Sequence, residues 1–391
     1  MITSQRSDYL SQQKCKRLHF CLQAEICSVP SAMPLKRPKG TPRLLINQAQ
    51  RAMTNNSNKP VSAVPKLEDV ARAAGVSTAT VSRCLNTPDR VSRKTIKRVM
   101  DAIDSLGYSP NYSARALAAG RTNTIGAIIP TMENAIFARG IQAFQEELQK
   151  NGCTLLVASS SYRQDLEEEQ IKTLTARGAD ALLLIGFQRD PHLYEFLEKR
   201  KIPFVLTWAC KPSHEQLFVG FDNRKAMKEL AARVISLGHR SLGCISAETA
   251  TNDRASERVE GICAAMQDAG LDPGSLRIVE TTYSIENGEK AFHQLLTGDN
   301  APTAVLCGND VLAIGALRGA AALNLRVPQD VAITGFDDIE LASVAPIPLT
   351  TVHVPHRRMG QLAARVLIDA LNDVPASSVE LPTEVCLRKT L

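Results

Sequence analysis

The sequence predicts a multidomain protein in which a small all-α domain precedes a larger α/β domain of two lobes. Residues 66–106 hold short stretches with apolar residues at helical spacing. From Thr124 onward, at least nine short apolar runs alternate with helical stretches. Alternating strands and helices are typical of parallel sheets covered on both faces. Nine strands exceed one comfortable doubly wound sheet, so we expect two lobes.

The first pair of helices lies within residues 66–85. One apolar face consists of Leu67, Val70, Ala71 and Ala74. Gly75 can adopt the left-handed conformation that ends a helix, and Ser77 is suited to cap the next one. Val81 and Leu85 then face the first helix. These positions indicate a helix-turn-helix, although this stretch alone is equally consistent with a helical hairpin inside a larger core.

The outer face of the second helix is short and mostly polar. It carries Thr78, Ala79, Thr80, Ser82 and Arg83. Such a face suits a helix that lies in the major groove of DNA. A third helix begins after Ser92 and ends at Gly107. Its predicted buried face consists of Ile96, Val99, Ile103 and Leu106.

Charge separates the front of the chain from its body. The formal net charge is +8 for residues 1–64, +5 for residues 65–123 and −7 for residues 124–391. A basic front on an acidic body indicates that the front binds a polyanion. The basic part coincides with the predicted helix-turn-helix, which favours DNA as the partner.

Residues 1–64 show no sustained periodicity and several prolines, so we expect a disordered basic extension. Because the residues upstream of Met53 add no structural pattern, our hypothesis is that translation starts at Met53, which would leave a short polar arm before Pro65. A signal peptide is rejected because Gln23 and Glu25 interrupt the apolar stretch after the early cations. The ten cysteines form no Cys-x-x-Cys pair, which argues against zinc sites and favours a reducing cytoplasm. No apolar run reaches the length of a membrane span.

At this point the chain resembles the LacI (lactose repressor)/purine repressor family of bacterial transcription regulators, and within it the gluconate-type regulators. The resemblance covers about residues 66–391. It is carried by residues 70–85, 106–111, 237–240, 308–310, and 331–338 followed by 348–352. It implies a helix-turn-helix domain at 65–111, a hinge helix and linker at 112–123, and an effector-binding and dimerisation domain at 124–391. That last domain would be a two-lobed α/β domain similar to periplasmic binding proteins.

The family pattern assigns roles within the recognition helix. By resemblance, Thr78, Ala79 and Arg83 read base edges, and Arg83 is suited to guanine O6 and N7. The backbone phosphates would be contacted by Ser77, Thr80 and Ser82. Residues 113–119 look like the hinge helix that folds on DNA and pairs with its dimer mate. Leu117 matches the leucine that is pushed into the minor groove, while the alternative for Leu117 is ordinary packing between domains.

The resemblance also implies a small sugar-like effector, bound between the lobes at the carboxyl ends of the strands. The candidate contacts are Trp208, Arg254, Arg258, Asn309 and Asp337. Two arginines in one cleft favour an anionic ligand, and we expect a sugar acid such as an aldonate. The alternatives are core packing for Trp208, N-capping for Asn309 and Asp337, and surface ion pairing for the arginines. The segment before Gly140 is shorter than in familiar members, so Met132 and Phe137 are not carried over.

We therefore expect a repressor in the cytoplasm, associated with the nucleoid, whose partners are double-stranded operator DNA, a small effector and a second copy of the chain. No leucine heptads follow the last predicted strand, so we expect a dimer rather than a tetramer held by a coiled coil. An enzyme is the weaker reading: Asp337-Asp338 would be its carboxylate pair, and His353 with His356 would be its metal ligands. No phosphate loop or nucleophile elbow is present. No cofactor, metal or membrane partner is expected. The sequence leaves open whether the ligand releases DNA or promotes binding.

Overall fold

The computed structural model describes residues 64–109, 120–133, 135–298 and 300–391. The chain divides between residues 109 and 110 into two compact units. The predicted extension upstream of residue 64, the Met53 start, and the hinge segment 113–119 with Leu117 lie outside the described residues.

The first unit contains the three predicted helices, α1 (Leu67–Ala74), α2 (Thr78–Asn86) and α3 (Arg93–Leu106). A short 3-10 turn, Pro88–Arg90, joins the last two. Gly75 ends α1 with φ +62°, and Gly107 ends α3 with φ +63°. Both glycines therefore occupy the left-handed conformation that other residues adopt only with strain.

A small core holds these helices together. Val70, Val81 and Val99 are fully buried, one from each helix. The sequence analysis missed Cys84, which is buried on α2, whereas Leu85 is only partly buried. The predicted helix-turn-helix geometry is otherwise confirmed.

The second unit contains two parallel sheets, as predicted. The strands are β1 Thr124–Ile129, β2 Thr154–Ser159, β3 Ala181–Ile185, β4 Phe204–Thr207, β5 Phe218–Gly220, β6 Leu242–Ser246, β7 Arg277–Glu280, β8 Ala304–Cys307, β9 Ala332–Thr334, β10 Thr351–His353, β11 Val379–Glu380 and β12 Glu384–Cys386. The first lobe has strand order β11-β5-β4-β3-β1-β2, and the second lobe has β7-β6-β8-β9. A separate antiparallel pair joins β10 and β12.

Helices cover both faces of these sheets. They are α4 Ala135–Lys150, α5 Gln164–Ala176, α6 Pro191–Lys199, α7 Asn223–Ser236, α8 Asp253–Asp268, α9 Ile285–Leu296, α10 Asp310–Ala322, α11 Glu340–Val344 and α12 His356–Leu371. The chain returns to the first lobe through α12, which packs against α4. The two helices approach so closely at Gly360 that no side chain fits there. A Cβ atom added to Gly360 would lie 2.0 Å from the carbonyl oxygen of Gly140. The segments that follow β1, β2, β6 and β7 line a common cleft between the lobes.

Candidate nucleic-acid interface and ligand cavity

The exposed face of α2 presents the residues predicted to read DNA bases. Thr78, Ala79 and Arg83 are exposed. Arg83 makes no ion pair with any described residue, so its guanidinium is available to an external acceptor. This placement agrees with a base-reading role, because a free guanidinium matches the two acceptors of a guanine edge.

The residues predicted to contact phosphates have local partners in this structure. The Ser77 Oγ accepts a hydrogen bond from the Thr80 backbone N–H (3.2 Å) and lies 2.9 Å from the Thr80 Oγ1. The Ser82 Oγ accepts from the Asn86 Nδ2 at 3.2 Å. Ser77 thus caps α2 by accepting a hydrogen bond from one of the first-turn N–H groups, which have no partner within the helix.

The first unit also carries a basic surface on α3. Exposed cations there are Arg93, Lys94, Lys97 and Arg98. Residues 64–109 contain eight lysines and arginines against five aspartates and glutamates. A surface of this kind attracts a polyanion such as the DNA backbone, and the attraction weakens as salt increases.

In the second unit, the cleft between the lobes contains three neighbouring cavities, and the two smaller ones share Tyr162 and Arg254 in their lining. The outer cavity, of about 990 Å³, is lined by residues that follow β1, β2, β6 and β7. The inner cavity, of about 20 Å³, lies deeper. All five predicted effector contacts line the inner cavity: Trp208, Arg254, Arg258, Asn309 and Asp337. The structure therefore brings together residues that are far apart in the sequence.

Asp337 is the most unusual group of the inner cavity. Its side chain is buried, its backbone has φ +100°, and neither carboxylate oxygen has a hydrogen-bond partner among the described residues. Burial raises the pKa of Asp337 to about 6, against the opposing effect of Arg258 and Arg254. Asp310 holds the segment that follows Asp337 by accepting hydrogen bonds from the Ile339 N–H (2.8 Å) and the Thr351 hydroxyl (2.5 Å).

The two arginines lie on the first two turns of α8, and each is paired with a carboxylate. The Arg254 Nη1 lies 2.8 Å from the Asp253 Oδ1. The Arg258 Nη2 lies 3.7 Å from the Asp337 Oδ1, and its Nε donates to the Asn223 Oδ1 at 2.9 Å. Two carboxylates therefore balance the two guanidinium groups, and the cavity is less positive than the sequence suggested.

Asp253 joins the two lobes, a role that the sequence analysis did not assign. Its Oδ2 accepts hydrogen bonds from the backbone N–H groups of Phe187 (2.5 Å) and Gln188 (3.2 Å), which follow β3 of the first lobe. Gly186 makes this approach possible, because its φ is +74° and a Cβ atom there would lie 2.0 Å from the Arg254 Nη1.

Trp208 forms one wall of the inner cavity. It is 1% exposed, and its ring packs against Phe137 at 5.3 Å and stacks on His356 at 6.2 Å between ring centroids. Burial lowers the pKa of His356 to about 3, and its Nε2 lies 3.2 Å from the backbone oxygen of Asp337. Asn309 caps α10 by accepting a hydrogen bond from the Leu312 N–H. Trp208 thus combines a packing role with a position at the cavity, and Asn309 combines a capping role with such a position.

Two of the groups weighed for an enzyme, Asp338 and His353, contact each other, and Asp338 also contacts Arg388. The His353 Nδ1 lies 2.9 Å from the Asp338 Oδ2, and the Arg388 Nη2 lies 2.7 Å from the Asp338 Oδ1. Within the described ranges, no group of three or more His, Cys, Asp or Glu side chains is placed to hold a metal ion. None of the helices described is long and apolar enough to cross a membrane.

Several lining residues were not predicted. Met132 lines the outer cavity and Phe137 the inner one, although neither was carried over from the family pattern. Asn252, Tyr162 and Tyr283 line both cavities. The two tyrosines each lie three residues beyond a predicted strand, in the first and second lobe respectively. The rule that ligands bind beyond the carboxyl ends of strands was the signal that could have found them.

Comparisons with known proteins agree with this geometry. The family model for "Bacterial regulatory proteins, lacI family" matches residues 66–111, and the model for "Periplasmic binding protein-like domain" matches residues 231–391. The chain is 35% identical to the HTH-type transcriptional repressor PurR of Serratia proteamaculans over 309 residues, covering 78% of this chain and 90% of that protein. It is 34% identical to the HTH-type transcriptional regulator DegA of Bacillus subtilis over 295 residues, covering 75% and 87%.

Solved structures show the same arrangement. The lac repressor dimer bound to operator and the anti-inducer ONPF matches with a TM-score of 0.75 and 25% identity, covering 83% of this chain and 98% of that chain. A complex of the transcriptional regulator CelR with cellobiose matches with a TM-score of 0.62 and 29% identity, covering 83% and 99%.

Proposed function

Since this chain belongs to the LacI family of bacterial regulatory proteins and is a DNA-binding transcriptional regulator, we propose that it represses transcription from a specific operator under the control of a sugar-like ligand. The observation that carries the proposal is the convergence of Trp208, Arg254, Arg258, Asn309 and Asp337 on one cavity between two lobes. The protein acts in the cytoplasm as a binding protein rather than as an enzyme. The relative PurR is named a transcriptional repressor, which supports repression rather than activation of transcription.

DNA recognition depends on α2 in this proposal. Arg83, exposed and without an ion pair to the described residues, reads a guanine edge together with Thr78 and Ala79. Ser77, Thr80 and Ser82 position the helix on the backbone. Outside the described residues, Leu117 remains our candidate for the minor-groove wedge.

The test of this role is an anisotropy titration at fixed salt with two duplexes, one selected in vitro for tight binding and one scrambled. Arg83→Ala is expected to lose about 1–3 kcal/mol on the selected duplex and little on the scrambled one. Lys97→Ala, on the exposed face of α3, is the matched control and is expected to weaken both duplexes equally. Equal losses for Arg83→Ala on the two duplexes would reject base readout.

For the ligand we propose a sugar acid, whose carboxylate would pair with the part of Arg254 that Asp253 does not occupy. Support comes from the position of Arg254 at the inner cavity. Asp253 contacts the Nη1 of Arg254, so other donors of the same guanidinium are left for a bidentate contact with the ligand. The Asp337 carboxylate, which lacks hydrogen-bond donors in the described chain, would accept the ligand's hydroxyl groups.

A neutral sugar is the second candidate, and two observations favour it. Asp253 and Asp337 balance the two arginines, and the outer cavity is lined by the carboxylates Glu133, Glu248 and Glu280. The complex of CelR with cellobiose is also a structure of a regulator with a neutral sugar.

Calorimetry with D-gluconate, D-glucose and cellobiose separates the candidates, because gluconate differs from glucose by its carboxylate. Binding of gluconate that weakens in Arg254→Gln supports a sugar acid. Binding of glucose or cellobiose alone rejects it. Repeating the DNA titration with the bound compound then gives the sign of control.

The second copy of the chain would pair along exposed sheet edges. Leu156 and Val157 on β2 are 36% and 38% exposed, and Ile278 on β7 is 43% exposed. Both strands lie at the edge of their sheets, where unpaired apolar strands favour association. Light scattering coupled to gel filtration is expected to give a dimer, and Val157→Lys is expected to weaken it. A wild-type monomer at micromolar concentration would reject this surface.

A further inference from the structure

Three residues separate the outer cavity from the inner one. Tyr162, Asn252 and Tyr283 line both cavities, so they form the partition between them. The rings of Tyr162 and Tyr283 lie 5.7 Å apart between centroids. Tyr162 follows β2 in the first lobe, and Tyr283 follows β7 in the second lobe. The contact therefore crosses the cleft.

The two cavities differ greatly in size. The inner cavity, of about 20 Å³, has room for about one water molecule. Pockets for small molecules usually measure about 300–1,000 Å³, which matches the outer cavity of about 990 Å³. The outer cavity has room for a sugar ring as it stands, whereas the inner cavity is too small to admit one to Asp337 or Arg258 unless residues that line it move.

The two tyrosines are held differently. A backbone hydrogen bond from Arg163 to Ser160 (2.9 Å) closes a turn in which Ser161 has φ +52° and Tyr162 has φ +60°. Two positive values in succession are typical of turns that favour glycine or asparagine, so this turn is strained. A change of Tyr162 to an ordinary backbone conformation relieves that strain and moves its ring.

The opposite side of the partition is fixed. Asn252 is 5% exposed and caps α8 by accepting a hydrogen bond from the Ala255 N–H. Tyr283 follows a strand of the sheet, and neither Tyr283 nor Asn252 has a positive φ. The part of the partition that can yield is therefore Tyr162.

We propose that Tyr162 and Tyr283 form an aromatic gate, through which a ligand passes from an acidic vestibule, the outer cavity, into the inner recognition chamber. Tyr162 is the moving half of the gate. This inference deepens the proposed ligand-controlled function and relies on it for the biological role of the chamber. With Tyr162 in its present position Trp208 is 1% exposed, whichever sugar the protein binds.

The vestibule also sorts solutes by charge. Its lining includes Glu133, Glu248 and Glu280, and no lysine, arginine or histidine is found among its described lining residues. Carboxylates in a cleft raise the local concentration of cations and lower that of anions. Neutral and cationic solutes therefore approach the gate more readily than anions.

Trp208 provides a direct test, because it is the chain's only tryptophan and lines the inner chamber at 1% exposure. In the full-length wild-type protein, acrylamide is expected to quench Trp208 fluorescence weakly. Tyr162→Ala is expected to raise the quenching constant severalfold at an unchanged emission maximum. Tyr162→Phe keeps the ring and is expected to behave as wild type.

Met132→Ala is the matched control, because Met132 lines the outer cavity without separating it from the inner one. It is expected to leave quenching unchanged. A shifted emission maximum in Tyr162→Ala would indicate that packing around Trp208 is lost. In that case Tyr283→Ala, which opens the gate from the other lobe, is used as the test variant. Wild-type quenching in a folded alanine variant, or an equal rise in Met132→Ala, overturns the gate.

Charged quenchers test the vestibule in the opened Tyr162→Ala protein. Caesium is expected to quench Trp208 more strongly than iodide, after each is scaled to its quenching of free tryptophan, and Glu248→Gln is expected to reduce the difference. Stronger quenching by iodide would reject an acidic vestibule. None of these measurements needs the natural ligand, so failure of the sugar proposal and failure of the gate are distinguished.

Discussion

Asp337→Asn is expected to make the second unit more stable at neutral pH while it weakens ligand binding. The carboxylate of Asp337 is buried without hydrogen-bond donors among the described residues, and its pKa rises from an ordinary 3.8 to about 6. That shift of about two pKa units corresponds to about 3 kcal/mol by which the folded state disfavours the charged form. Asparagine has similar volume and carries no charge, so it removes this cost.

The sign of the pH dependence follows from proton binding. Between pH 4 and 6 the folded state holds a proton on Asp337 that the unfolded state has lost, so this group lowers stability as pH rises. The stability gain of Asp337→Asn over wild type is therefore expected to be near zero at pH 4 and about 3 kcal/mol at pH 7–8. His356, whose pKa is lowered to about 3, has the opposite dependence, since stability falls as pH decreases below its ordinary 6.5. It is present in both proteins and cancels in the difference.

Urea unfolding followed by Trp208 fluorescence measures the effect, because this tryptophan reports on the second unit. Asp338→Asn is the matched control, and its effect on the free energy of unfolding is expected to have the opposite sign. Hydrogen bonds with Arg388 and His353 hold the pKa of Asp338 below its ordinary value against the effect of burial, so its loss is expected to destabilise the protein above pH 4. A destabilised Asp337→Asn at pH 8, or a difference from wild type that does not change with pH, would refute the reasoning.

Two further substitutions test packing and capping. Gly360→Ala places a Cβ atom 2.0 Å from the backbone oxygen of Gly140. Urea unfolding is therefore expected to show that the free energy of unfolding falls by about 1–3 kcal/mol. An unchanged urea midpoint would mean that α4 and α12 move apart at no cost. Ser77→Ala removes the cap of α2, at a cost of about 1 kcal/mol. Hydrogen exchange of the α2 amides is expected to accelerate while that of α8 is unchanged, and an equal rate in both helices would argue against the cap.

Much of the first unit was predictable because its geometry is local. Val70, Gly75 and Val81 lie within a dozen residues, and helical spacing alone decides which of them share a face. Ser77 caps the next helix for the same reason, since the hydrogen bond that it accepts comes from three residues away. The exposed position of Arg83 then follows, because the opposite face of α2 is used by the core.

The five residues proposed as effector contacts line one cavity, because the ends of parallel strands meet at one edge of a sheet. Their charge state was not predictable. Arg258 meets Asp337 across 79 positions of sequence, and Asp253 reaches over to the backbone of Gln188 in the other lobe. Sequence spacing cannot show which polar groups are brought within ion-pair or hydrogen-bond distance by packing of segments that are far apart in the chain.

The sequence by itself therefore determined the helix-turn-helix, the alternating α/β pattern and the residues at the strand ends, because each depends on short-range periodicity. Only the tertiary structure decided that Arg258 pairs with Asp337, that Asp337 lacks hydrogen-bond donors among the described residues, and that Tyr162 meets Tyr283 beside a small chamber. The first two properties arise where segments of the second lobe that are far apart in the chain pack together. The tyrosine contact arises where the two lobes face each other, and sequence spacing shows neither arrangement.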